Sequence, residues 1–400
     1  MARDAIIVGG GLGGSALAEQ LAKAGHDVLV FERETEVKDR VRGENMLPWG
    51  VAAARRLGIL DDLIVAGGNQ ANTWMTYAMG RPTPPRSLRE TTPGRDPMLN
   101  MFHPDIQNVV MKRAIDAGAT VKRGSTVLSL DAGPGKSPSV TYEVDGRLES
   151  ETARIVVGAD GRSSQMRIWS GFEVQRDPKF LTIAGTLLEN TDVPQDGAYL
   201  CMGPGFASFW APLGQLKSRT YFVYPTAVGK RRLTGKEKVG EFLEALKAVG
   251  TPASWTEDAR SIGPLAEFDG ADRWIESPAR NGVVLIGDAA ASSDPSWGSG
   301  LSLTLTDVEH LSNQLKNNPD WNAAISDYAR QHDEYYGALH RIHKWMTELF
   351  WTPGPEADAR RHKVFSRMMQ DPTGFPDGVG LGPFGPSDER ARQLTLGIGY

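Results

Sequence analysis

Cysteine is nearly missing from these 400 residues. Cys201 stands alone, so no intrachain disulfide can form and a thiolate metal cluster lacks its ligands; a reducing, cytoplasmic setting and no metal are the expectations. Long apolar runs are missing too. No uninterrupted stretch reaches about 18 apolar residues, so no membrane span is predicted. The opening "MARDAIIVGG" enters an apolar strand directly, without the apolar core and small-residue cleavage site of a secretory signal. Basic excess is also lacking. Lys and Arg number 44 against 49 Asp and Glu, a formal charge of −5, and no long Lys/Arg run occurs, which argues against nucleic acid as the main partner. The remaining composition, 40% apolar and 23% charged, suits a folded chain with a sizeable core, and the length suggests two lobes.

The first forty residues read as strand, glycine turn, helix, strand: "AIIV", then "SALAEQLAKAG", then "DVLVFE". Further on, "GVAAARRLGILDDLI" reads as one helix, and "HPDIQNVVMKRAIDAG" as a helix running into the strand "ATVKRG". The pair "VTYEV" and "LESETARIVV" flanks Asp145-Gly146, a hairpin signal. From 176 to 270 the texture changes. Alternating aromatic-rich runs such as "FASFWAPLG" and "TYFVYP" read as antiparallel strands, followed by the amphipathic helix "GKEKVGEFLEALKAVG". Strand-then-helix texture returns at "GVVLIGDAAA", and after Phe350 proline and glycine are dense with little periodicity.

Three short motifs carry chemistry. In "VGGGLGG", Gly9, Gly11 and Gly14 fit G-x-G-x-x-G between a predicted strand and a predicted helix. Gly9 would make the tight turn, Gly11 would admit a pyrophosphate, and Gly14 would allow close helix packing, with Leu12 and Gly13 opening the helix whose amides face the anion. Glu32, at the end of the second strand, is placed to bond a ribose hydroxyl. A second literal match, Gly380, Gly382 and Gly385, has no strand before it and reads as a loop, and "GPGKS" at 133–137 reads as a turn. "GADGRSS" follows "RIVV"; an Asp-Gly there is by itself most often a plain turn. "GDAAASSDPSWGSG", Gly287–Gly300, ends a strand with an acid, a proline and glycines before a helix. Asp288 could accept from sugar-like hydroxyls and the amides of Gly298–Leu301 could stabilise negative charge; a capped helix after a turn accounts for the same residues.

In this order and spacing, over roughly Ala5 to Leu315, "GGGLGG" with "FER", "GADGRSS", and "GDAA" with "PSWGSG" resemble the single-component class A flavin-dependent monooxygenases, the FAD-dependent aromatic hydroxylase family. The resemblance implies an α/β fold with a Rossmann-like FAD-binding domain (GR2-type, p-hydroxybenzoate hydroxylase-like) at 1–70, 98–175 and 271–345. A β-rich substrate domain at 71–97 and 176–270 and a C-terminal helix with a Pro/Gly-rich tail at 346–400 complete it. It implies FAD on Gly9, Gly11, Leu12, Gly13, Gly14, Glu32, Arg33, Arg42, Gln107, Val127, Asp160, Asp288, Pro295, Gly298, Gly300 and Leu301, with Pro295 and Gly298 forming the flavin-ring environment. Two features depart from the family: His103 stands where arginine is usual, and Ser299 and Ser302 stand where Gln and Asn are common.

The implied reaction is reduction of FAD by NADH or NADPH, addition of O2 to give a flavin hydroperoxide, and transfer of one oxygen atom to a hydrophobic or aromatic small molecule. Phe209, Trp210, Tyr221 and Tyr224 are candidates to line its pocket, although half of each alternating strand must face elsewhere. No general base is assigned; His103, Arg219 and Tyr224 are equally explained as ordinary polar positions. Two other chemistries fit the same motifs: a flavin-dependent halogenase, whose W-x-W-x-I-P signature is absent, and an FAD-dependent reductase of a hydrophobic substrate. A non-catalytic FAD scaffold is a further possibility, and either a monomer or a homodimer is compatible with the sequence.

Overall fold

The computed structural model describes residues 2–41, 43–144, 146–228 and 232–398. Strand Arg3–Val8 lies at the centre of a parallel sheet, between Val28–Glu32 on one side and the end of Arg147–Gly158 on the other. Thr120–Arg123 extends this sheet beyond Val28–Glu32, and Val283–Leu285 extends it beyond Arg147–Gly158. Both faces are covered. Helices Leu12–Lys23, His103–Asp116 and Gly300–Asn317 pack on Ala5, Ile7 and Val30. The opposite face, with Ile6 and Leu29, packs under the antiparallel strands Thr126–Asp131 and Ser139–Val144. Burial on both sides explains why "AIIV" is continuously apolar instead of alternating.

A second sheet of nine strands is mostly antiparallel, with Leu181–Glu189, Lys217–Pro225, Phe206–Gly214 and Gly197–Gly203 at its centre. Thr73–Ala78 joins it parallel to Gly197–Gly203. Its strands alternate, as period-two geometry requires. Trp210, Phe222 and Tyr224 face helix Val239–Ala248 and Trp255, whereas Ile183, Tyr221 and Val223 face Val41, Trp297 and Trp351.

Two sequence expectations are corrected. The single helix read from Gly50 to Ile64 is two, Pro48–Arg56 and Leu60–Val65, because Gly58 takes φ +72° and ends the first. The segment after Phe350, read as having little periodicity and assigned a C-terminal helix with a Pro/Gly-rich tail, holds two helices, Pro355–Gln370 and Glu389–Leu396. The first of these buries only Ala357 and Val364, so little apolar stripe exists for a pattern search to find. Asp145 of the predicted hairpin lies outside the described residues, but Gly146 takes φ +72° and the flanking strands pair as expected. No helix among the described residues is long and apolar enough to cross a membrane.

Candidate functional site

The three motifs end three adjacent parallel strands. Val8 pairs with Gly158, and Gly158 with Leu285, so the chain leaves the sheet at one edge three times in succession. That carboxyl edge is where open α/β sheets bind ligands.

The glycines record how tightly the motifs converge. A Cβ on Gly9, which takes φ +109°, would stand 2.3 Å from the carbonyl oxygen of Ala159 in the second motif. One on Gly13 would meet Thr304 at 2.8 Å and Ile286 at 3.4 Å, both beside the third. Gly14 would place its Cβ 1.9 Å from Gly9 O, so it is the close-packing glycine. Gly11 is different: an added Cβ there meets only Gln107 Nε2, at 3.3 Å, which leaves the helix mouth open and puts Gln107 beside it. The second literal glycine match is a 3₁₀ turn at Gly382–Phe384 packed on Trp49, as its loop reading required.

These features offer a seat for FAD. Helix Leu12–Lys23 has no side-chain cap and no acid in its first turn, and the same holds for Gly300–Asn317. Two helix starts therefore present unneutralised amides at one sheet edge, as an anionic diphosphate and an electron-rich ring require. An added Cβ on Gly300 meets nothing within 4 Å, and one on Gly298 only Asn45 Oδ1 at 3.8 Å, so a planar group has room there. Glu32 accepts from Gly10 N at 2.9 Å and from Glu34 N at 2.9 Å. Asp288 is half-buried on the turn after Ile286, and Pro295 is half-buried in the loop before Gly298. The residues present fit the cofactor.

Asp160 Oδ2 accepts from Gln165 N and Met166 N, at 2.7 and 3.1 Å, so this carboxylate caps the following helix. Its Oδ1 is buried without a partner. Arg33 is exposed and pairs with Glu34, and Val127 is buried beneath the sheet among Val8 and Phe31. Arg42 lies outside the described residues. His103, at the departure from the family, is buried, its Nδ1 3.0 Å from Gly43 O.

Of the four substrate-pocket candidates the structure brings two together. Phe209 and Tyr221 join the cluster of Ile183, Val223 and Trp297, so they face the loop that carries Pro295 and Gly298. Trp210 and Tyr224 do not: they lie an odd number of residues along each strand from Phe209 and Tyr221, which turns them to the helix-covered side, where they pack with Phe242 and Trp255.

Sequence reasoning missed a buried polar cluster on the loop side. Glu44 and Arg219 are fully buried and lie 2.7 Å apart, Arg219 Nη2 also donates to both oxygens of Asp39 at 2.9 Å, and Tyr221 Oη donates to Glu44 Oε2 at 2.9 Å. Arg219 Nε and Nη1 make no hydrogen bond. Burial pushes Glu44 up to about 7, against the pull of Arg219. A lone acid in "RGEN" carries no sequence signal, because its partner belongs to a strand far along the chain. A second missed pair is Ser299 Oγ and His343 Nε2, 3.1 Å apart, with His343 stacked on Trp297. Burial and His340 hold His343 down to about 3, so it is neutral.

Three adjacent strand ends, two open helix mouths and an acid at each flank define a flavin-binding α/β protein. A family model described as FAD binding domain matches residues 2–319, and the chain belongs to that family. Rifampicin monooxygenase of Rhodococcus hoagii is 26% identical over 324 residues, 77% of this chain and 62% of that protein. Digeranylgeranylglycerophospholipid reductase 1 of Methanococcoides burtonii is 26% identical over 304 residues, 75% of this chain and 71% of that protein. In fold, the flavin-dependent brominase Bmp2 matches with a TM-score of 0.79 at 16% identity, over 99% of this chain and 98% of its own. The resemblance drawn from the motifs and the expected fold class are met: this is an FAD-dependent oxidoreductase of the flavin monooxygenase group.

Proposed function

We propose that the protein is an NAD(P)H- and O2-dependent hydroxylase that inserts one oxygen atom into an aromatic or polycyclic small molecule. The observation that carries this is the apolar sheet face of Ile183, Phe209, Tyr221 and Val223 turned towards Trp297, within the loop that leads to the open amides of Gly298–Leu301. Bound FAD supplies the redox chemistry, accepting hydride and activating O2.

The chain's residues bind, orient and exclude water. Gly9, Gly11 and Gly14, with Leu12 and Gly13, would hold the diphosphate, Glu32 would exchange its bond from Gly10 N for ribose hydroxyls, and Asp288 would hold the ribityl chain. Asp160, Gln107 and Val127 support that site. Pro295, Gly298, Gly300 and Leu301 would wall the ring. Phe209 and Tyr221 would contact the substrate, and the unpaired donors of Arg219 would take an oxygen acceptor on it. Glu44, near 7, can hold or release a proton at Tyr221 Oη. On this reading 1–70, 98–175 and 271–345 form the cofactor lobe, 71–97 and 176–270 the substrate lobe, and 346–400 a C-terminal helix and tail.

The test is NADH and NADPH oxidation by the flavin-loaded protein in air, with a panel of phenolic and polycyclic aromatics, and mass spectrometry of products made under ¹⁸O2. One ¹⁸O atom per product supports the hydroxylase. A product formed without oxygen would replace it with a reductase, the second reading, favoured by the likeness to the Methanococcoides protein. Halogenated product would replace it with a halogenase.

A further inference from the structure

We propose that Asp177, Asp272 and His340 form a binding site for one divalent cation of the Mn²⁺ or Zn²⁺ kind, behind the loop that carries Pro295. The three residues come from separate parts of the chain: Asp177 follows strand Gln175–Arg176, Asp272 precedes strand Arg273–Trp274, and His340 sits within helix Trp321–Trp351. One ligand atom from each lies within 4.8 Å of the others. His340 Nε2 is 2.7 Å from Asp177 Oδ2 and 4.0 Å from Asp272 Oδ2. That spread suits one ion with metal–ligand bonds of about 2.1 Å after small side-chain adjustments. Two carboxylates with one imidazole is a hard and borderline donor set, which selects Mn²⁺ or Zn²⁺ over thiophilic metals.

A further observation points to a ligand. Tyr336 is 3% exposed and its hydroxyl has no hydrogen-bond partner. One helical turn before His340, its ring stacks on the imidazole at 5.9 Å and 4° between planes, so both side chains leave the same face of the helix, the face from which His340 reaches Asp177. The charges of Asp272 and Asp177 both act on that hydroxyl. A metal-bound water would give it the acceptor it lacks.

The charge balance also favours a cation. Asp272 is buried, with the carboxylates of Asp294 and Asp177 as like-charged neighbours and only Arg162 as an opposing charge among those acting on it. Asp177 and His340 stay partly open to solvent, which provides an entry path. The site connects to the cofactor loop. Asp272 Oδ1 accepts from Asp294 N at 2.7 Å, and Asp294 Oδ1 accepts from Ser296 N at 2.8 Å, so an ion on Asp272 would brace the turn that holds Pro295.

The test is titration of the FAD-loaded protein, stripped with EDTA, with Mn²⁺ read by EPR and with Zn²⁺ read by calorimetry. One ion per chain is expected, with affinity reduced at least tenfold in Asp177→Asn and in His340→Gln. Asp177→Asn changes a partly exposed side chain and keeps the test decisive if His340→Gln fails to fold. No binding by the parent protein, or binding unchanged in Asp177→Asn, overturns the proposal.

Discussion

Phe209 and Trp210 are neighbours in one strand, yet they serve opposite faces of the nine-stranded sheet. Phe209 points to Tyr221 and Trp297, whereas Trp210 is fully buried against Trp255 and donates from Nε1 to Ser208 Oγ at 3.1 Å. Trp210→Ala should therefore cost about 3 to 5 kcal/mol of stability, the range for deleting a large buried aromatic. Phe209→Ala should leave the melting temperature nearly unchanged and raise KM. Thermal unfolding and steady-state kinetics on the two variants check this, and an equal loss of stability in both would remove Phe209 from the pocket.

Gly11 and Gly14 separate cofactor binding from folding. Gly11→Val should fold, since the space above Gly11 meets only the end of Gln107, and should lose FAD because the side chain takes the diphosphate's approach. Gly14→Ala should fail earlier, as its Cβ falls 1.9 Å from Gly9 O. Circular dichroism paired with flavin absorbance distinguishes the two; a Gly11→Val protein that keeps its yellow colour would falsify the assignment of the glycine loop.

Asp288→Ala should weaken FAD binding by about 1.5 to 3 kcal/mol, the worth of a hydrogen bond to a charged group. That is roughly a tenfold to hundredfold rise in Kd. Fluorescence titration of the apoprotein with FAD measures it, and unchanged affinity would take the ribityl contact away from this residue.

Glu44 should make stability fall with rising pH. Its folded value, about 7, lies above the ordinary 4.5, so the native state holds the extra proton between those values. The stabilisation is fully present below about 4.5 and is lost as pH rises through about 7, by about 1 to 3 kcal/mol. Urea unfolding at pH 5 and pH 8 should show this decline in the parent. In Glu44→Gln that part of the slope should vanish; an unaltered slope would place the titration elsewhere.

Much of the cofactor half was legible in advance because its signals are local. A strand, a glycine turn and a helix follow one another within "AIIVGGGLGGSALAEQLAKAG", and each constraint, from the turn at Gly9 to the packing at Gly14, acts over a few residues. The nine-stranded sheet was less legible. Period two told that "FASFWAPLG" alternates, but which alternate set faces Trp297 depends on which sheet face the helix Val239–Ala248 covers.

The sequence by itself determined the class of protein, through the three strand-end motifs, with a single cysteine and no long basic or apolar run. Tertiary structure alone decided the meeting of Glu44 with Arg219, of Ser299 with His343, and of Asp177 and Asp272 with His340. Each of these joins residues from distant strands, loops and helices. A buried charge becomes tolerable only when packing supplies its partner, and no local pattern records that.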